Sequence, residues 1–227
     1  MRLGGLQKMT LLDFPGRVAC TLFTSGCNFR CPFCHNTPLV TGGAPAYSEE
    51  ALFDFLKKRR GLLDGVAITG GEPLLHPDLP QLIERIRALG YLVKLDTNGS
   101  FPGRLRSLLD AGLVDYVAMD VKNRREKYEL TAGCAGILPR VEESVRLLTE
   151  GKTDYEFRTT LVDELHEPED FAAIGRWLAG AKRYFIQSFE DSGDILAEGM
   201  HKASEEKTAA CLDAVKAYLP NAQRRGG

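Results

Sequence analysis

Short apolar runs alternate with longer amphipathic segments along nearly the whole 227-residue chain, the pattern left by repeated strand–helix units of a parallel sheet. The runs Val18 to Phe23, Gly65 to Thr69, Leu92 to Asp96, Tyr116 to Asp120, Tyr155 to Leu161 and Tyr184 to Ser188 are short and mostly apolar, as strands covered on both faces are. Between and after them, helical periodicity covers Ser48 to Arg59, Leu79 to Leu89, Arg104 to Ala111, Leu138 to Thr149, Pro168 to Leu178 and about Ser204 to Tyr218. Ser48 ahead of Glu49 and Glu50 is a capping residue with acidic charge in the first turn. Gly90 and Gly112 each follow a helix and suit the left-handed conformation that ends one. Six units are too few for an eight-stranded barrel, so the expected fold is α/β, a partial (β/α)6 barrel with a parallel sheet. One domain, residues 1–227, is expected, with a polar tail at 221–227 that frays.

Parallel α/β folds collect their sites at the C-terminal ends of the strands. The unusual segments all fall there: residues 24–36 after the first predicted strand, Gly70-Gly71-Glu72-Pro73 after the second, Asp96-Thr97-Asn98-Gly99 at the third, Asp120-Val121-Lys122 at the fourth. The first is the richest. Cys27, Cys31 and Cys34 stand at spacing C-x3-C-x2-C, three thiolates offered to a soft metal centre from one loop. A cubane cluster takes one thiolate per iron, so three cysteines leave one iron open to a small molecule. Zinc with His35 as fourth ligand is the competing metal reading, although adjacent Cys34 and His35 side chains diverge in an extended turn; a disulfide reading finds Cys20, Cys134 and Cys211 scattered.

Charge narrows the options further. Formal net charge is -2, and the arginine pairs Arg59-Arg60, Arg124-Arg125 and Arg224-Arg225 stand isolated, which argues against nucleic acid. No apolar run approaches the roughly 18 residues of a membrane span. With a polar start and no signal peptide, a cytoplasmic location is expected, where thiols stay reduced.

Cys27-Asn28-Phe29-Arg30-Cys31-Pro32-Phe33-Cys34-His35-Asn36, with Phe33 before the third cysteine, resembles the cluster loop of the radical S-adenosylmethionine (SAM) superfamily. The flanks Leu12-Asp13-Phe14-Pro15-Gly16 and Phe23-Thr24-Ser25-Gly26 make it similar to the glycyl-radical-enzyme activases, above all the activating proteins of anaerobic ribonucleoside-triphosphate reductase. The resemblance implies one 4Fe-4S cluster on Cys27, Cys31 and Cys34. It implies reductive cleavage of S-adenosylmethionine to a 5'-deoxyadenosyl radical, and a glycyl radical on a partner enzyme. A flavodoxin- or ferredoxin-type protein would give the electron.

By the same resemblance Gly70, Gly71 and Glu72 meet the methionine amine, Lys122 its carboxylate, and Phe33 and His35 flank the cofactor, with His35 against adenine. Asp96, Thr97 and Asp120 match aspartates and a threonine that bind a monovalent cation in pyruvate formate-lyase activases; Lys122 as a cation between the two carboxylates is the alternative. Arg158 is read either as a cofactor contact or as half of an internal ion pair, and Gln187 as the replacement for a histidine of those activases. His76, His166 and His201 read as surface residues, Cys20 as a core residue. The alternative function is a small-molecule radical enzyme such as 7-carboxy-7-deazaguanine synthase; a non-catalytic iron–sulfur or zinc protein is the other.

Overall fold

The computed structural model describes residues 1–191 and 193–226 and divides into two compact units, Met1–Asn28 with Pro38–Thr97 and Phe101–Ala118, and Phe29–Thr37 with Asn98–Ser100 and Met119–Gly227. In the first, β1 (Leu3–Thr10) runs antiparallel to β2 (Ala19–Thr24), which pairs parallel with β3 (Gly65–Gly70), itself parallel to β4 (Leu92–Thr97). Between them come α1 (Thr37–Thr41), α2 (Glu49–Lys58), a single 3-10 turn over Pro73–Leu75 and α3 (Leu79–Ala88); α4 (Pro102–Asp110) then leads into β5 (Tyr116–Asp120). The second unit holds α5 (Arg125–Ala132), α6 (Leu138–Glu150), β6 (Asp154–Leu161), α7 (Pro168–Trp177), β7 (Tyr184–Ser188), α8 (Glu205–Lys216) and β8 (Gln223–Arg225). Here β6, β7 and β8 are parallel neighbours.

The fold is therefore α/β with mostly parallel strands, the class expected of a partial barrel. Each of the six expected strands is present to within one residue at either end. The helices follow their apolar faces: α2 buries Leu52, Phe53 and Leu56, with the Ser48 hydroxyl accepting from the Ala51 amide, and α3 buries Leu79, Leu82, Ile83 and Ile86. Gly90 and Gly112 carry φ of 93° and 62°, the left-handed ends anticipated for them. Among the described residues no helix is long and apolar enough to cross a membrane.

Three elements lie outside the expectation, namely β1, α5 and β8. The last corrects the frayed tail. Gln223, Arg224 and Arg225 pair with Phe185, Ile186 and Gln187 of β7. Arg225 gives both guanidinium nitrogens to Glu156 at 2.5 and 2.9 Å and stacks over Phe185 at 3.6 Å. Glu156 is fully buried, and a buried carboxylate demands such a bidentate partner. Gly227, the last residue of that expected tail, lies outside the described residues.

Candidate functional site

In the first unit, β2 and β3 end side by side and their loops interlock. The Gly71 amide donates to Thr24 O at 2.9 Å, and the Glu72 amide to Gly26 O at 2.8 Å. Gly70 has φ of 112°, and a Cβ there would lie 2.4 Å from Thr24 backbone atoms; one on Gly71 would lie 2.0 Å from Gly26 O. Within this unit, what the bare glycines admit is the backbone leading into Cys27. Glu72 is fully buried. Its Oε1 accepts from the Leu74 amide at 3.0 Å and the Thr97 hydroxyl at 2.8 Å, so its contacts are those of a loop brace. Arg104 holds the same loop, donating to Leu74 O at 2.5 Å and Leu75 O at 2.8 Å. His76, half-buried, meets Ser25 O at 2.9 Å through Nε2. Asp96 receives the ammonium of Lys94.

The second unit holds Cys31, Phe33, Cys34 and His35. The Cys34 amide donates to Cys31 O at 3.1 Å, closing a turn, and the loop is clamped to the end of α5. There the Arg30 amide donates to Ala132 O at 3.0 Å, and Cys31 Sγ lies 3.7 Å from the same oxygen. Gly133 caps α5 at φ of 60°, where a Cβ would come 2.3 Å from Arg30 O.

Asp120, Lys122 and Arg158 form one ionic network in this unit. Arg158 puts Nε at 2.9 Å and Nη2 at 2.8 Å from Asp120 Oδ1, while Lys122 Nζ lies 3.0 Å from Oδ2. Burial alone would raise the Asp120 carboxyl, but the charges of Arg158 and Lys122 hold it well below the usual carboxylate range. Burial likewise would lower the Lys122 ammonium; the carboxylate of Asp120 and then the charge of Cys31 keep it above its ordinary value. Lys122 also lies 5.9 Å from the centroid of the Phe33 ring. His35 is pushed down by burial first and Lys122 second, with Asp120 opposing; it is a neutral ring at neutral pH.

Arg158 is thus an internal ion pair. Asp96 and Asp120 each have a cation of their own, Lys94 and Lys122, rather than Lys122 shared between them. Gln187 stands half-buried in β7, in register with Thr160 on one side and Arg225 on the other.

His166 corrects the surface reading. It is fully buried, with Nε2 at 2.9 Å from Lys122 O and Nδ1 at 3.2 Å from the Val162 amide. The backbone around Lys122 is further held by the Thr159 hydroxyl, donating to Val121 O at 2.8 Å, and by Tyr128, donating to Asp120 O at 3.3 Å. Spacing gave no sign of these braces. Lys94 could have been found, since a lysine at the centre of Leu-Val-Lys-Leu-Asp interrupts an otherwise apolar run. All six cysteines are thiols. Cys20 is a core residue, its thiol pushed up to about 12 by burial; burial does the same to Cys211.

Residues 21–168 match the family model described as the radical SAM superfamily. A protein named as a glycyl-radical enzyme activating enzyme of Methanocaldococcus jannaschii is 32% identical over 96% of this chain and 92% of its own length. A 7-carboxy-7-deazaguanine synthase of Halobacterium salinarum is 40% identical, over 34% of this chain and 30% of its own. Among solved structures, a domain of the pyruvate-formate lyase-activating enzyme from Bacteroides vulgatus superposes with a TM-score of 0.59 at 21% identity, covering 71% of this chain and 99% of that one; it shares the fold. With two-thirds of its length matched by one family model and a full-length relative beside it, the chain belongs to the radical SAM superfamily.

Proposed function

We propose that this enzyme activates a glycyl radical enzyme, specifically an anaerobic ribonucleoside-triphosphate reductase, using an electron from a flavodoxin- or ferredoxin-type donor in the cytoplasm. The family implies a 4Fe-4S cluster and S-adenosylmethionine, which when bound supply the reductive bond cleavage and the carbon radical. The donor chemistry fits them. Cys27, Cys31 and Cys34 are soft thiol ligands from one loop, and Lys122 places positive charge where it senses that of Cys31, which favours a thiolate. Among the described residues no three His, Cys, Asp or Glu side chains gather around a single ion, so the fit rests on this donor chemistry.

The reading gives each group a task. Cys27, Cys31 and Cys34 hold the cluster; the backbone of Gly70, Gly71 and Glu72 binds the methionine amine; Lys122 meets the methionine carboxylate; Phe33 and His35 flank the adenosine. Arg158 keeps Asp120 ionised, Asp120 orients Lys122, and Gln187 completes the cofactor pocket from β7. Lys94 and the Lys122–Arg158 pair supply the charge compensation of Asp96 and Asp120, so no monovalent cation on Asp96, Thr97 and Asp120 is needed.

One observation carries the proposal: the lysine held charged by Asp120 sits over Phe33 of the three-cysteine loop. The extent of the likeness to an activating enzyme, along 96% of the chain, favours a protein substrate over a heterocycle. Anaerobic reconstituted enzyme, S-adenosylmethionine and dithionite should put a glycyl doublet into the electron paramagnetic resonance spectrum of the reductase. Turnover with a small heterocycle and no doublet on any glycyl radical enzyme would favour the synthase reading, which the shorter match supports.

A further inference from the structure

In the first unit, the strand register stacks side chains of β2, β3 and β4 in layers on one face of the sheet. Ala19, Gly65 and Leu92 are in register at the base, where Leu92 packs against the cluster of Phe14, Ala19 and Tyr116. The base is dry and closed: a Cβ on Gly65 would lie 2.7 Å from the Phe14 ring. One layer up stand Thr21, Ala67 and Lys94, two small side chains and a lysine that is 1% exposed. Asp96 is next on the same face and receives the Lys94 ammonium. An ammonium has three N–H donors. Among the described residues Asp96 is the one acceptor given to Lys94, and a buried ammonium with donors left over is costly unless something else arrives to accept them.

We propose that Lys94 is a substrate-recognition residue, donating a hydrogen bond to a backbone carbonyl of the partner's glycine-bearing segment. A neutral acceptor is what the charge balance asks for. Lys94 and Asp96 together carry no net charge, so a peptide carbonyl adds a hydrogen bond without adding charge, whereas a carboxylate would leave a net negative charge in a buried place. Ala67 and Thr21 beside the ammonium are too small to fill the layer themselves. This inference rests on the activase reading, and deepens it by naming what recognises the protein substrate.

The test uses reconstituted holoenzyme and an octapeptide spanning the radical-bearing glycine of the reductase. In Lys94→Met the KM for the peptide should rise about tenfold, equivalent to about 1.4 kcal/mol, while the KM for S-adenosylmethionine moves less than threefold; Lys94→Arg should recover part of the loss. Equal KM values for the peptide in wild type and Lys94→Met, or a parallel rise for peptide and cofactor, would overturn it. Should Lys94→Met not fold because Asp96 is left alone, Lys94→Met/Asp96→Asn restores neutrality and is read the same way. Wild type serves where no variant folds: of peptides carrying a thiocarbonyl, a weaker acceptor, at each position in turn, one should bind about tenfold more weakly by fluorescence anisotropy. No loss anywhere in that series counts against the proposal. A wild type that cleaves its cofactor yet leaves no glycyl radical on peptide or reductase fails the activase reading instead.

Discussion

His166 shows how much of the site is set by residues that touch none of the expected ligands. Its ring spans the Lys122 carbonyl and the Val162 amide, and burial holds its pKa below the ordinary value. A histidine depressed in the folded state contributes stability that is whole above its unfolded pKa of about 6.5 and is lost as pH falls toward the folded one. Thermal unfolding monitored between pH 7.5 and 5.5 should therefore show a falling Tm, with a shallower slope in His166→Gln; His35 and His76, also depressed by burial, supply the slope that remains. An identical slope in that variant would remove His166 from the account. Cys31 is the sharper test of the metal assignment. Cys31→Ala should keep the fold but lose most of the bound iron after reconstitution, and with it all cofactor cleavage, measured as iron per chain and as methionine released.

At the scale of elements, two glycines hold the two halves of the candidate site in their local shape. Gly71→Ala drives a methyl against Gly26 O, and overpacking of this kind costs about 1–3 kcal/mol. Gly133→Ala must adopt a left-handed backbone, about 1–2 kcal/mol, and also crowds Arg30 O. Both should lower the denaturant midpoint, and Gly133→Ala should slow cluster uptake as well, because α5 anchors the cysteine loop through Ala132. These same elements show what could be read in advance. Tyr116 to Asp120 declares itself as a strand by its apolar run, and α2 by its Ser48 cap. β1 does not, because Gly4 and Gly5 and the polar Gln7 and Lys8 carry no strand signal; its place comes from pairing with β2. α5 is hidden by the charges of Arg124 to Lys127, and β8 by three polar residues whose partner, Glu156, lies 69 positions away. The cysteines, Asp120 and Lys122 were legible because their chemistry is local in sequence, whereas Lys94, Tyr128 and His166 act through contacts that only folding creates.

For the molecule as a whole, β8 makes the last strand of the second unit part of the structure. Removing the guanidinium leaves Glu156 as an uncompensated buried carboxylate, and Arg225→Leu should cost about 3–5 kcal/mol by chemical denaturation. Glu156→Gln/Arg225→Leu should recover much of that, since the loss comes from an unpaired charge; no recovery would mean that β8 matters through its backbone alone. The function itself depends on an iron that the protein leaves for the cofactor. Three thiols serve a cluster of four irons, with Lys122 and His35 in the unit that supplies Cys31 and Cys34. Mössbauer spectroscopy of the anaerobically reconstituted enzyme, with and without S-adenosylmethionine, tests this most directly. One iron should stand apart from the other three and change its isomer shift when S-adenosylmethionine is added. A spectrum that S-adenosylmethionine leaves unaltered, with every iron held by the polypeptide, would contradict the account.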